Sequence, residues 1–174
     1  MRKSALLFIA LNLVAGTLLA QTQYQILVER PGEKTFKGLI SREALTSDTS
    51  FHWYKEGLAG YNPDPNAQAL LKRNRDSIEF VVFMGTWCED SHFVIPKFYY
   101  LLDITAFPQE RVTLIGVDRS KKTLAHLAEA MGIENVPTII VMKKGKEIGR
   151  VVEYGKSGLF DQDLAEILAA ATPR

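Results

Sequence analysis

One segment constrains the fold of this chain more than any other. Residues 78–84, I-E-F-V-V-F-M, are apolar at every position except Glu79. A strand with one face in water alternates apolar and polar side chains, whereas a run without alternation suits a strand covered on both faces. Helical patterns flank it. Asp64 can cap a helix with Pro65 in its first turn, running to about Arg75. A second helix begins near Cys88 and continues to about Asp103. Its apolar residues Val94, Ile95, Phe98, Leu101 and Leu102 fall at helical spacing, and Pro96 is a place for a kink. Residues 111–117 read as another buried strand, and residues 121–131 as an amphipathic helix stopped by Gly132. Residues 138–142 and 147–153 read as a hairpin around Lys143-Lys144-Gly145-Lys146, and residues 160–171 as a last helix. This order predicts an α/β domain, a mixed central sheet with helices on both faces.

The start of the chain has another character. Arg2 and Lys3 precede a stretch over residues 5–19 that is apolar apart from Asn12 and Thr17, and Ala20 offers a small residue before Gln21. This is the pattern of a secretory signal occupying residues 1–20. The stretch is shorter than the ~20 residues of a spanning helix. No membrane span is expected once it is removed. The sequence thus predicts a signal peptide over 1–20, an N-terminal extension over 21–63, and a domain over 64–174. The boundary is the breaker run Asn62-Pro63-Asp64-Pro65. Within the extension, residues 24–30 and 34–40 read as strands around Pro31-Gly32. Ser41 and Asp48 or Thr49 can cap short helices, and Phe51, Trp53, Tyr54 and Tyr61 read chiefly as packing residues.

Export implies a periplasmic or extracellular protein, in a compartment where disulfides persist. Yet Cys88 is the single cysteine, so no disulfide can form within the chain. The full chain carries 21 Lys and Arg against 20 Asp and Glu, and two of the cations lie in the signal. Nothing in that balance calls for nucleic acid or an anionic membrane surface. His52, His92 and His126 are scattered, without metal-ligand spacing to the cysteine, and neither a metal nor a cofactor is expected.

Cys88 stands in Trp87-Cys88-Glu89-Asp90-Ser91, between the apolar strand and the helix that follows. A cysteine at a helix N-terminus faces unpaired backbone N–H groups and the positive end of the helix dipole, a setting that favours the thiolate. Three neighbours are candidate modulators of its ionisation. His92 can add positive charge when protonated, while Glu89 and Asp90 oppose a second negative charge. Ser91 can donate its hydroxyl proton to the sulfur from one turn along.

The motif Gly85-Thr86-Trp87-Cys88-Glu89-Asp90-Ser91 at a strand end, with Val136-Pro137-Thr138 opening a later strand, resembles the thioredoxin fold family. The likeness is to exported bacterial members with a Gly-Thr-Trp-Cys-x-Asp-Ser motif, and it covers roughly residues 64–174. It implies that Pro137 is cis and faces Cys88. It also implies that the backbone at Val136 pairs with a substrate chain, that Trp87 walls the groove, and that Thr138 lies at its edge. Dithiol members carry a second cysteine where this chain has Ser91. Family reductases also carry a buried Asp where it has Val82. Without a resolving thiol, an unpaired buried carboxylate would be a cost with no task.

The resulting expectation is a monothiol thiol–disulfide oxidoreductase or isomerase of the cell envelope. Cys88 would form mixed disulfides with protein disulfide or thiol substrates, and a small thiol could resolve them. Cys88, Ser91, Trp87 and Pro137 are the expected catalytic set, and Trp87, Val136, Pro137 and Thr138 the binding set. The alternative is a redox-inactive binding module that keeps the groove. A peroxiredoxin-like reading is set aside, because Gly85 stands where such enzymes carry Thr or Ser.

Overall fold

The computed structural model describes residues 23–171, so the expected signal peptide lies outside the described residues. Six strands form one mixed sheet in the order β1-β2-β4-β3-β5-β6. They are β1 (Tyr24–Arg30), β2 (Glu33–Ile40), β3 (Glu79–Met84), β4 (Val112–Gly116), β5 (Thr138–Lys143) and β6 (Lys146–Val152). The β3 strand is central. It runs parallel to β4, with Val82 opposite Leu114, and antiparallel to β5, with Val82 opposite Ile139.

The missing alternation of β3 has the expected cause. Phe80, Val82 and Met84 enter one core with Leu114, Ile139 and the helical residues Val94, Phe98 and Leu102. Phe83 enters a second core on the other face with Ile115, Val117, Ala128, Val136 and Ile140. Glu79, the single charge in the run, is exposed at the strand start, with Arg111 Nη1 at 3.5 Å.

Helix α3 (Pro65–Asn74) starts as its sequence dictates, with Asp64 Oδ1 accepting the Ala67 N–H at 2.7 Å and Pro65 in the first turn. Helix α4 (Glu89–Ile104) runs 16 residues with Pro96 inside it. Helix α6 (Phe160–Ala170) packs on α3 and β6. The short helices α1 (Arg42–Ser47) and α2 (Trp53–Glu56) lie between β2 and α3, and Ser41 Oγ caps α1 by accepting the Ala44 N–H at 3.1 Å.

The amphipathic helix expected over residues 121–131 is corrected to a 3-10 turn at Leu124–His126 followed by α5 (Leu127–Ala130). The apolar spacing is present, but the backbone before it is taken by a turn. Asp118 Oδ1 accepts the N–H groups of Ser120 and Lys122, and Lys121, Ala125 and His126 have positive φ. Side-chain capture of backbone N–H groups competes with helix formation. The end of the segment behaves as its glycine suggests. Gly132, at φ 62, gives its N–H to Glu129 O, while Ile133 N–H reaches Ala128 O.

Residues 24–40 are integral to the sheet. β1 and β2 form an antiparallel hairpin, and β2 continues onto β4 through Gly38–Gly116, Leu39–Ile115 and Ile40–Leu114. Phe36 anchors this edge. It stacks on Tyr24 with centroids 4.9 Å apart and meets Phe51 edge-on, also at 4.9 Å. With 2% of its surface exposed, it belongs to the main core. Phe36→Ala is expected to cost about 3–5 kcal/mol, read as a lowered urea midpoint for a single cooperative transition. A loss below about 1 kcal/mol would show that this edge contributes little to the core.

Candidate functional site

The site forms where β3 ends. Met84 is the last strand residue, Gly85–Trp87 make the turn, and Cys88 is the N-cap of α4 at φ −97° and ψ 122°. The turn is closed by Cys88 N–H donating to Gly85 O at 3.0 Å, and α4 is opened by His92 N–H donating to Cys88 O at 3.0 Å. Cys88 is half-buried and free. Its side chain does not cap the helix. Instead the thiol donates to Val136 O at 3.2 Å. The Val136–Pro137 peptide is cis. The sulfur therefore lies against the carbonyl that precedes the proline.

Trp87 is half-buried and packs with Cys88 against the core of Phe83 and Val136, its indole N–H donating to Val117 O at 3.0 Å. Its ring covers Gly85, where an added Cβ would lie 2.7 Å from the indole, so a larger residue there would displace the ring. The Arg119 guanidinium lies over the ring, 5.4 Å from its centroid. Val136, Pro137 and Thr138 are buried. Thr138 donates its hydroxyl to Asn135 O at 2.7 Å and opens β5 opposite Phe83.

Ser91 is fully buried, one turn into α4, and its Oγ accepts the Gly85 N–H at 3.2 Å. In this arrangement the serine serves the turn that carries the cysteine. Val82 is also fully buried, between Leu114 and Ile139 on the neighbouring strands. An ionisable group there would sit in a dry core without a partner.

The first-turn carboxylates suit the positive end of α4. Glu89 is exposed. Asp90 Oδ1 accepts the Tyr154 hydroxyl at 2.7 Å. That bond, with burial and nearby negative charge, pushes the Tyr154 phenol up to about 12. His92 faces the N-terminal segment. Its Nε2 lies 2.8 Å from Thr86 O, and its ring stacks on Trp53 with centroids 4.2 Å apart. Because a carbonyl only accepts, Nε2 carries the proton. Burial, the largest effect, holds the imidazole below its ordinary range, against the opposing pull of that bond and of Glu89.

The structure thus brings Cys88, Trp87, Val136 and Pro137 together. Ser91 lies beneath the turn, Thr138 lies in the sheet, and His92 is engaged by Thr86 and Trp53. Three participants are absent from the sequence reading in these roles. Thr86 Oγ1 accepts the Phe36 N–H at 3.1 Å and donates to Lys34 O at 2.8 Å, tying the turn to β2. Tyr154 and Arg119 arrive from remote segments, and no local pattern marks them. Only Thr86, within the quoted motif, carried a local signal. Among the described residues, no group of three His, Cys, Asp or Glu could hold a metal ion.

A cysteine at the N-terminus of the helix after a central strand, facing the carbonyl before an X–Pro bond that opens an antiparallel strand, defines a thioredoxin-type site. The thioredoxin family model matches residues 64–166. The chain belongs to the thioredoxin family. A thioredoxin of Echinococcus granulosus is 34% identical over 77 residues, 44% of this chain and 66% of that protein. Thioredoxin H2-2 of Oryza sativa subsp. japonica is 31% identical over 88 residues, 51% of this chain and 61% of that protein. The chain thus spans less than two thirds of the length of each. A solved protein of unknown function from Pseudomonas aeruginosa is 16% identical, with 78% of this chain and 88% of that one covered. The TM-score of that match is 0.48.

The state of His92 has a consequence for stability. The fold favours the neutral ring, so below the ordinary value of 6.5 the unfolded chain binds more protons than the folded one. His92 therefore lowers stability as pH falls through 6.5 toward its depressed folded value. Urea unfolding of wild type and His92→Gln between pH 7.5 and 5 is expected to show a shallower loss in the variant. Parallel curves would contradict the buried neutral ring.

Proposed function

We propose that this protein is a monothiol thiol–disulfide exchange protein of the cell envelope, with Cys88 as its nucleophile. The observation that carries the reading is the placement of the Cys88 sulfur, half-exposed at the N-terminus of α4 and 3.2 Å from Val136 O. The Cys88 thiolate attacks one sulfur of a target disulfide. A new S–S bond joins protein and target, the target's own S–S bond breaks, and the second target sulfur leaves as a thiolate. Backbone N–H groups at the start of α4 stabilise the attacking anion. The Val136 carbonyl, released from the thiol proton on ionisation, is free to accept an N–H from an extended substrate chain.

Resolution must come from outside. Ser91 Oγ cannot form a disulfide, and its lone pair is engaged by Gly85 N–H. The mixed disulfide is cleared when a target thiol attacks the target sulfur of the bond, leaving a rearranged target and the Cys88 thiolate. A small thiol of the glutathione or cysteine type can attack instead, and the target then leaves disulfide-linked to it. The first route is isomerisation, with no net change in oxidation state. Export rests on Arg2, Lys3 and the apolar stretch over residues 5–19. Among the described residues, no helix is long and apolar enough to cross a membrane.

A second reading is a binding module whose groove outlived its chemistry. Ser91 and Val82 favour it, because with one cysteine in the chain and an apolar residue at position 82 the resolving half-reaction has no group of its own. Reactivation of scrambled ribonuclease separates the two. Under a limiting thiol buffer, wild type is expected to accelerate recovery at least several-fold over Cys88→Ala. Equal rates for the two would overturn the exchange reading and leave the binding module.

A further inference from the structure

Beside the thiol helix, on the flank formed by the segment before α3, the middle of α4 and the start of α6, lies a cleft of about 510 Å³. Sites for small organic molecules fall in the range of about 300–1,000 Å³. Tyr61, Pro63, Phe93, Leu159 and Phe160 supply apolar walls, and Lys97 lies among them. Phe93 and Leu159 are 49% and 51% exposed. They form an apolar rim that none of the described residues covers.

Lys97 is the informative group. It retains 6% of its surface, and its ammonium lies over the Phe93 ring, 2.8 Å from the centroid. Among the described residues it has no carboxylate within ion-pair distance and no hydrogen-bond acceptor, and its Nζ, with only the ring face as a protein partner, keeps contact with solvent at the cleft. A π-face offsets part of the desolvation of an ammonium but supplies neither a hydrogen-bond acceptor nor a counter-charge. Burial pushes Lys97 down to about 8.

Asp64 and Asp161 also line the cleft, but neither pairs with Lys97, and their oxygens are engaged by other donors. Asp161 Oδ2 accepts the Tyr61 hydroxyl and the Asp64 N–H, each at 2.9 Å, and its Oδ1 accepts the Gln162 N–H at 3.1 Å. Asp64 Oδ1 caps α3. The carboxylate oxygens thus have donors while the ammonium has no acceptor, and what the cleft leaves open is an acceptor, best a charged one, at Lys97.

We propose that this cleft binds a small organic anion, a single carboxylate on an aromatic or compact apolar body. The carboxylate would pair with Lys97, and the body would lie between Phe93, Leu159 and Tyr61. The cleft connects to the first turn of α4 through Tyr154, which lines it, packs edge-on against Phe93 at 5.3 Å, and holds Asp90, two residues from Cys88. Binding itself does not require the cysteine, so it stands or falls separately from disulfide exchange.

The test is calorimetric titration of the full chain with 3-phenylpropanoate and with its neutral amide. The carboxylate is expected to bind saturably at one site and at least tenfold more tightly than the amide. In Lys97→Met, whose unbranched apolar side chain suits the same buried path, the carboxylate is expected to lose at least tenfold in affinity, leaving it close to the amide. Absence of saturable binding up to 10 mM (a ceiling on the order of 3 kcal/mol of binding free energy) would overturn the proposal. So would equal affinity for acid and amide, or an unchanged carboxylate affinity in Lys97→Met.

Discussion

The geometry of the thiol site depends on one hydroxyl. Thr86 lies in the turn between β3 and α4, and its Oγ1 both accepts from Phe36 N–H and donates to Lys34 O. Its carbonyl, on the other side of the same residue, takes His92 Nε2. One residue thereby joins the turn before Cys88, the first turn of α4 and the second strand of the chain. The groups are buried or partly so, and a buried polar group left without its partner costs about 1–3 kcal/mol. The position of the sulfur is thus set from both sides, by the sheet through β3 and by the N-terminal segment through Thr86.

That arrangement gives the first forty described residues a physical task. β1 and β2 lengthen the sheet on the β4 edge, and Trp53 of α2 covers the ring of His92. The thioredoxin family model begins at residue 64, yet the turn that holds Cys88 is fastened to β2. The N-terminal segment and the family domain therefore share a core, with Phe36, Phe51 and Trp53 in the same cluster as Phe80 and Phe98.

Much of this was legible in the sequence because the strongest signals are local. The unbroken apolar run of β3 announced a strand covered on both faces. Asp64-Pro65 announced the start of α3, and Gly85-Thr86-Trp87-Cys88 announced the junction that became the site. What was not legible depends on contacts between distant segments. The spacing over residues 121–131 suggested a longer helix, but Asp118 draws the preceding N–H groups into a turn. The position of His92 at i+4 from Cys88 suggests a modulator of the thiol. Trp53, some forty residues away in sequence, is what fixes its ring. The Lys97 cleft left no trace in the sequence, since an ammonium over a ring face has no motif.

The chemistry at the site follows from what Ser91 and Val82 do in the fold. The serine holds the turn through Gly85, and the valine fills the core between β4 and β5. Neither position is poised for resolution, so a covalent link formed at Cys88 should outlast the encounter that made it. Mass spectrometry of the purified chain with an excess of a disulfide-linked peptide pair, without added thiol, tests this most directly. The monothiol mechanism predicts one peptide adduct per chain, absent in Cys88→Ala, that persists for hours and is discharged within minutes of adding glutathione. An adduct that never forms would contradict it, and so would one that is lost at the same rate with and without glutathione.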